Sequence, residues 1–291
     1  MVFFFRTLTT TALLLCAIRA QAEQWTLQPQ EGGVAVMLDG QLFTKYLERY
    51  QNKPVLHPIV GPTGKAMTRP LGEGDHPHHA SLWFTHGGVG GTDFWHKEGL
   101  IEHLQYVLQE GGDQALLKTK SAWHDAGGKL LGHEVRTTTF DVADGARQVD
   151  VDIQFTAADR DVVFAQTKEG SFGLRVWPTM TVKKGGGIVN SNGQTGGDAW
   201  GKPAAWVDYY GPIDGETLGI AILNHPDSLR FPTAWHVREY GLFAANPFMK
   251  EAYTLPAGET LTLRYRVLFH EGDTAAAGIA AAYKNYAGQS E

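Results

Sequence analysis

Cysteine is nearly absent from this 291-residue chain: Cys16 is the only one. A disulfide framework and a thiolate metal centre are therefore excluded, and the fold has to rest on its core. Long apolar runs are equally scarce. The one candidate, Leu8 to Ile18, lies between Arg6 and Ala20-Gln21-Ala22, an A-x-A cleavage signature. It is too short for a good transmembrane span, and residues 1–22 read as a secretory signal peptide. A lipoprotein signal at Cys16 would need a small residue before it, where the chain has Leu15. The mature chain is then expected to start at Glu23, with no cysteine and no membrane span, in the periplasm or outside the cell. Positive charge is not in excess either. Lys and Arg number 25 against 31 Asp and Glu, a net charge of −6, which argues against nucleic acid or an anionic membrane as partner. There is no H-E-x-x-H, P-loop or dinucleotide fingerprint. No linker, charge block or internal repeat divides residues 23–291, which read as one domain.

Glycine, proline and aromatic residues are plentiful: 35 Gly, 13 Pro and 11% Phe, Trp and Tyr. Many short strands joined by tight turns need that composition. Strands are expected over Trp25–Leu27, Val34–Leu38, Gln41–Tyr46, Val55–Val60, Ala80–His86, Ile101–Glu110, Ala115–His124, Lys129–Val142 and Arg147–Ala157. Further strands follow over Ser171–Val182, Ala204–Tyr210, Leu218–Asn224, Trp235–Ala244 and Thr260–His270. One helix is expected, from about Thr274 to Tyr286. The fold class is all-β: a large antiparallel β-sandwich with one C-terminal helix.

Half of the twelve histidines lie between His76 and His103, and His76, His78 and His79 fall in one four-residue window. Imidazole titrates near neutrality and ligates metals, so such a cluster points to chemistry. Pro77 is expected to hold His76 extended. Alternation in the following strand puts His79, Ser81, Trp83 and Thr85 on one face, with Leu82 and Phe84 toward the core. In the second half, Gln166–Gly170 forms a turn carrying Lys168 and Glu169. Arg175 shares a strand face with Ser171, Gly173 and Trp177, and suits either a ligand carboxylate or a surface salt bridge. The loop Asn190–Lys202 ends in Trp200 and Lys202; its tryptophan either covers a ligand or anchors the loop. His225 closes an apolar strand before Pro226. His236, Arg238 and Tyr240 alternate onto one wall.

Asp75-His76-Pro77-His78-His79 with Leu82-Trp83-Phe84, Thr167-Lys168-Glu169-Gly170, Trp200-Gly201-Lys202, His225-Pro226, Trp235–Arg238, Tyr240–Phe248 with its Asn246, and Tyr265-Arg266-Val267 together resemble DUF6807, a bacterial family often labelled "methane oxygenase PmoA". The resemblance covers essentially the whole mature chain. It implies a large supersandwich, similar to the galactose-mutarotase group of sugar-binding folds, and a place in carbohydrate catabolism. No mechanism comes with it.

Three functions are therefore in play. The first is an exported enzyme performing acid–base chemistry on a small sugar or glycoside (epimerisation, β-elimination or hydrolysis), with His79, Lys168, Glu169, His225 and His236 around one cleft. His78, Trp83, Arg175, Trp200, Lys202, Arg238, Tyr240 and Asn246 would bind the substrate. The second is a metal-dependent enzyme, in which His76 and His78 help hold a divalent ion. The third is a non-catalytic carbohydrate-binding protein. Cofactor and oligomeric state are not readable from the sequence.

Overall fold

The computed structural model describes Met1, residues 24–111 and residues 113–288. The expected signal peptide lies almost wholly outside these residues. In chain order the strands are β1 (Trp25–Gln30), β2 (Gly33–Leu38), β3 (Gln41–Tyr50), β4 (Lys53–Ile59), β5 (Leu82–His86), β6 (Leu100–Gly111), β7 (Gln114–His124), β8 (Leu130–Ala143) and β9 (Ala146–Ala157). They continue with β10 (Val162–Phe164), β11 (Gly170–Arg175), β12 (Gly187–Asn190), β13 (Trp206–Ile213), β14 (Glu216–Asn224), β15 (Ala234–Val237), β16 (Leu242–Asn246), β17 (Tyr253–Leu255) and β18 (Thr260–Glu271). A single α-helix, α1 (Ile279–Ala287), follows among the described residues.

Two antiparallel eight-stranded sheets account for all but one pair of these strands. The first runs β1-β2-β3-β4-β5-β11-β16-β15, the second β12-β13-β14-β18-β9-β8-β7-β6, and β10 pairs with β17 in a small ribbon. The core lies between the sheets. It is built by alternation: in β8 and β9 every second side chain is buried over most of the strand, because successive residues face opposite ways. Aromatic pairs bridge the gap. Phe172 of the first sheet stacks on Tyr265 of the second, with centroids 4.5 Å apart and planes within 1°. Phe84 meets Trp123 at 5.6 Å and Phe43 meets Phe269 at 6.0 Å. Each such side chain contributes about 1.5–3 kcal/mol by leaving water.

Both sheets are also covered on their outer faces. On the second, α1 lays Ile279 and Tyr286 over Trp206, Leu223 and Leu268. On the first, the loops between β4 and β6 fold back, so that Ala80 and Trp95 pack on Val55, Trp83, Leu242 and Ala244. Consequently every residue of β5, β11, β15 and β16 is buried. Burial on both faces is unusual in an antiparallel sheet, where one side normally meets water.

Several elements differ from the sequence expectation. The strand begun at Ser171 stops at Arg175, because Pro178 removes a ladder donor, and a short 3-10 turn, Val182–Lys184, follows. The stretch Trp235–Ala244 is two strands joined by a tight turn at Arg238–Gly241. Arg238 N donates to Leu242 O at 2.7 Å, and Gly241 supplies φ +105°. The helix starts only at Ile279, after Gly278 at φ +63°. Three short strands, β10, β12 and β17, lack a readable alternation. His76 is not extended: its φ is +53°, left-handed backbone that a non-glycine residue rarely adopts.

Candidate functional site

The candidate site lies on the outer face of the first sheet. Register places Trp83, Gly173, Ala244 and His236 side by side on β5, β11, β16 and β15. Their neighbours Phe84, Phe172, Ala245 and Trp235 face the core instead. Gly173 is required there: a Cβ would sit 3.1 Å from the Trp83 ring and 3.4 Å from Ala244 Cβ. Arg175 lies two residues further along the same face, beside Ser81, whose carbonyl accepts from Arg175 N at 3.0 Å.

His79 drops onto this face from the preceding loop and is 3% exposed. Its ring stacks near those of His76 (4.8 Å), Trp83 (5.8 Å) and Tyr240 (6.4 Å), and meets Trp95 edge-on at 5.5 Å. Nδ1 accepts from Arg175 Nη1 at 2.9 Å. Burial first, then the charges of His78, Arg175, His76 and Arg69, push this imidazole far below its usual range. His78, at the loop surface, is pushed down to about 4 by burial and by His96, His76, Lys53 and Lys97. Both rings are neutral at pH 7.

Asp75 and His76 form a dyad above this stack. His76 Nδ1 lies 2.9 Å from Asp75 Oδ2, and the imidazole stacks on Tyr240 at 5.2 Å with planes 6° apart. Asp75 Oδ1 accepts from both Arg69 Nη1 and Arg175 Nη2 at 2.7 Å, and Arg69 Nη2 also donates to the His76 carbonyl at 3.0 Å. Partial burial works against the Asp75 charge, but hydrogen bonds from His76 and the two arginines hold the carboxyl at about 2. An oriented imidazole backed by a fixed carboxylate is the arrangement a general base requires. The left-handed backbone of His76 places local strain at the same residue.

The opposite side is formed by β15 and the Thr167–Glu169 turn. His236 is 2% exposed, and its Nδ1 has no hydrogen-bond partner among the described residues. That atom faces Glu169 Oε2 at 3.9 Å, and Lys168 Nζ lies 3.6 Å from Glu169 Oε1. Burial, then Arg238, Lys168 and His76, push His236 down to about 3, while the Lys168 carbonyl acts the other way. The charge of His76 reaching His236 ties the two sides together, and Trp95 bridges them, 5.5 Å from His79 and 6.1 Å from His236. Asn246, fully buried, pins the turn: Nδ2 donates to the carbonyls of Thr167 (2.9 Å) and Lys168 (3.2 Å). It positions Lys168 and Glu169, with both amide hydrogens committed to protein, and is not a substrate ligand.

Beside this face opens a pocket of ≈ 570 Å³ lined by Trp200, Arg238, Tyr240, Lys183 and Glu239 among others. Trp200 is 38% exposed, with the Arg238 guanidinium 5.2 Å over its ring. Arg238 Nε in turn lies 3.3 Å from His236 Nε2, and Arg175 sits 4.6 Å over the Tyr240 ring. Tyr240 belongs to the turn after β15, so it joins His236 and Arg238 through that turn and not by strand alternation. Arg175 is no surface salt bridge: at 4% exposure it is part of the floor.

His79, Lys168, Glu169 and His236 thus meet on one sheet face, with His79 and His236 buried beneath its rim. His225 does not join them. It ends β14 in the other sheet, its ring edge-on to Tyr286 of α1 at 4.9 Å. Pro226 follows it, but topology sends that strand end to the opposite layer. Lys202 is exposed beyond Trp200 and does not line the pocket. For His76 and His78 as metal ligands, among the described residues no group of three or more His, Cys, Asp or Glu side chains is placed to hold an ion.

Sequence reasoning missed Arg69, Trp95, His96 and above all Lys53. Lys53 is fully buried, and among the described residues its Nζ reaches only Asn52 Oδ1 and the His78 carbonyl, each at 3.3 Å. Burial, then Lys97, lower it to about 8. A lysine opening a strand reads as solvated in sequence. Trp95 and His96 carried a signal, the tail of the histidine-rich stretch.

No curated protein matches the chain by sequence. Solved structures similar to it include the galactosidase domain of an alpha-galactosidase-sucrose kinase, 11% identical with TM-score 0.41, over 87% of this chain and 40% of that one. The chain therefore spans less than half the length of that protein. A galactose mutarotase related enzyme from Lactobacillus acidophilus is 9% identical with TM-score 0.34, over 86% and 98% of the two chains. A polysaccharide lyase is 11% identical with TM-score 0.33, over 88% and 34%. The family model of DUF6807, a family of unknown function, matches residues 33–284 with the histidine cluster and both walls of the site inside it, and the chain belongs to that family.

Proposed function

We propose that the protein is an exported enzyme acting on a sugar or glycoside by proton transfer. The observation that carries this reading is that two lining residues of the Trp200–Tyr240 pocket reach two acid–base pairs: Tyr240 stacks on His76 of Asp75–His76, and Arg238 meets His236 of Glu169–His236. Its ≈ 570 Å³ matches the volume of ligand sites for small molecules. The apolar face of a pyranose suits an exposed indole, and its hydroxyls suit Arg238 and the Tyr240 phenol. Glu169 acts as proton acceptor, with Lys168 stabilising its charge, while His76, oriented by Asp75, serves as the second acid–base group. His236 and His79 stay neutral. Both are buried and position the charged groups instead, His79 accepting from Arg175 and His236 lying against Arg238.

The test is a panel of free sugars, nitrophenyl glycosides and oligosaccharides followed by NMR and mass spectrometry. Turnover of one class is expected, with Glu169→Gln and His76→Ala each lowering it roughly a hundredfold, the scale of a lost general acid or base. Saturable binding without any chemical change would refute the enzyme and leave a carbohydrate-binding protein. Export is tested by N-terminal sequencing of the secreted or periplasmic protein, expected to begin at Glu23. Retention of Met1 on cytoplasmic protein would refute it.

A further inference from the structure

We propose that the ligand of this pocket is an acidic sugar, a uronic acid or a glycan containing one, whose carboxylate is taken by Arg238. This rests on the sugar reading above and narrows it. The reason is a local charge imbalance in a chain whose net charge is −6. Arg69 and Arg175, both buried, share one carboxylate oxygen of Asp75. Lys53 is buried with no carboxylate partner among the described residues, its ammonium resting on an amide and a carbonyl. Lys168 has Glu169 at 3.6 Å, but among the described residues Glu169 is also the only carboxylate within 4 Å of His236. Three buried cations, Arg69, Arg175 and Lys53, thus face the single carboxylate of Asp75, and because a buried charge lacking its counter-ion is costly, such a face favours a bound anion.

Arg238 is where that anion would dock. Its guanidinium lies over the Trp200 ring, and its Nε has only the neutral His236 Nε2, at 3.3 Å. No carboxylate pairs with it among the described residues. Lys183 is a second cation in the pocket wall, so the wall carries two cations, Arg238 and Lys183, against the one carboxylate of Glu239, which lies by Gly196 and Gly197. Arg, Lys and His charges add to burial in lowering His78, His79 and His236, while Glu169 faces His236 from 3.9 Å. The guanidinium covers part of the Trp200 ring at 5.2 Å, so the sugar stacks on the ring surface left open and turns its C6 carboxylate toward Arg238. Arg supplies the bidentate fork such a group takes.

The experiment compares matched pairs, methyl glucoside with methyl glucuronide and methyl galactoside with methyl galacturonide, by calorimetry on the mature protein. Sodium acetate serves as an anion without a sugar. In one pair or both, the uronide is expected to bind at least about tenfold more tightly, the scale of one charge-assisted hydrogen bond. That preference should shrink between roughly 0.05 and 0.5 M sodium chloride. It should collapse in Arg238→Gln, with Lys183→Gln as the second variant should the first not fold. Equal affinity within both pairs, or a preference unchanged in the variants, overturns the acidic sugar and leaves the sugar reading standing. Acetate binding as tightly as the uronides overturns it in favour of a bare anion site. Failure of every sugar and longer glycan to bind overturns both.

Discussion

Replacing Asp75 by Asn tests the keystone of the site. Asp75 joins three partners: Arg69 and Arg175 at 2.7 Å each and His76 at 2.9 Å. Its carboxyl is held at about 2 instead of 3.8. At 1.36 kcal/mol per pH unit that difference corresponds to about 2.5 kcal/mol. The side chain is 52% exposed, so solvent screening reduces the contribution to about 1 kcal/mol. Leaving two buried guanidiniums without their shared anion adds to the loss, for about 1–2 kcal/mol in total at neutral pH. In a domain of this size each kcal/mol lowers Tm by about 2–4 °C. The folded pKa is depressed, so this stability is present above the unfolded value and disappears as pH falls through about 2. Urea unfolding followed by tryptophan fluorescence, from about pH 7 down to about pH 3, should show wild type and Asp75→Asn converging toward the acid end. A variant as stable as wild type at neutral pH, or a gap that stays constant into acid, would refute the reasoning.

Other perturbations separate stability from binding. His270 Nε2 lies 3.0 Å from buried Asp208 Oδ1; burial lowers its pKa, but the hydrogen bond and charge of Asp208 win and leave it raised. The stability it contributes is full below about pH 6.5 and lost as pH rises through the higher folded value. The urea midpoint of wild type should therefore fall more steeply above that pH than that of Asp208→Asn, and parallel curves would contradict it. Trp200→Ala should weaken sugar binding about tenfold or more while moving Tm by no more than a degree or two, because the indole is 38% exposed. Asn246→Ala should cost about 1–3 kcal/mol by leaving two carbonyls unpaired, and should lower kcat more than it raises KM, since it frees the turn that aims Glu169.

Much of the fold was legible because it rests on local signals. Alternation in β7, β8 and β9 and the turns between them identify long antiparallel strands from the residues alone. The same alternation separates Trp83 from Leu82 and Phe84, and His236 from Trp235 and Val237. Where the signal is a single residue, the reading slipped by an element: Pro178 cut one strand, Gly241 turned another, and Gly278 delayed the helix.

The chain's own residues therefore determine that it is all-β, which faces are apolar, and that histidines, charged groups and exposed aromatics gather around Asp75–His79, Lys168–Glu169 and Trp200–Tyr240. Which of these groups meet is decided only in three dimensions. His225 carries the same kind of sequence signal as His236, yet β14 joins the second sheet and β15 the first, so one packs on α1 and the other faces Glu169. Lys53 is separated from Arg175 by 122 positions, and no local pattern says that β4 to β15 lie side by side to gather their cations on one face. Local sterics and hydrophobic period are encoded residue by residue. The pairing of distant strands, and with it the burial that makes His79 and His236 neutral, is a property of the closed sheets.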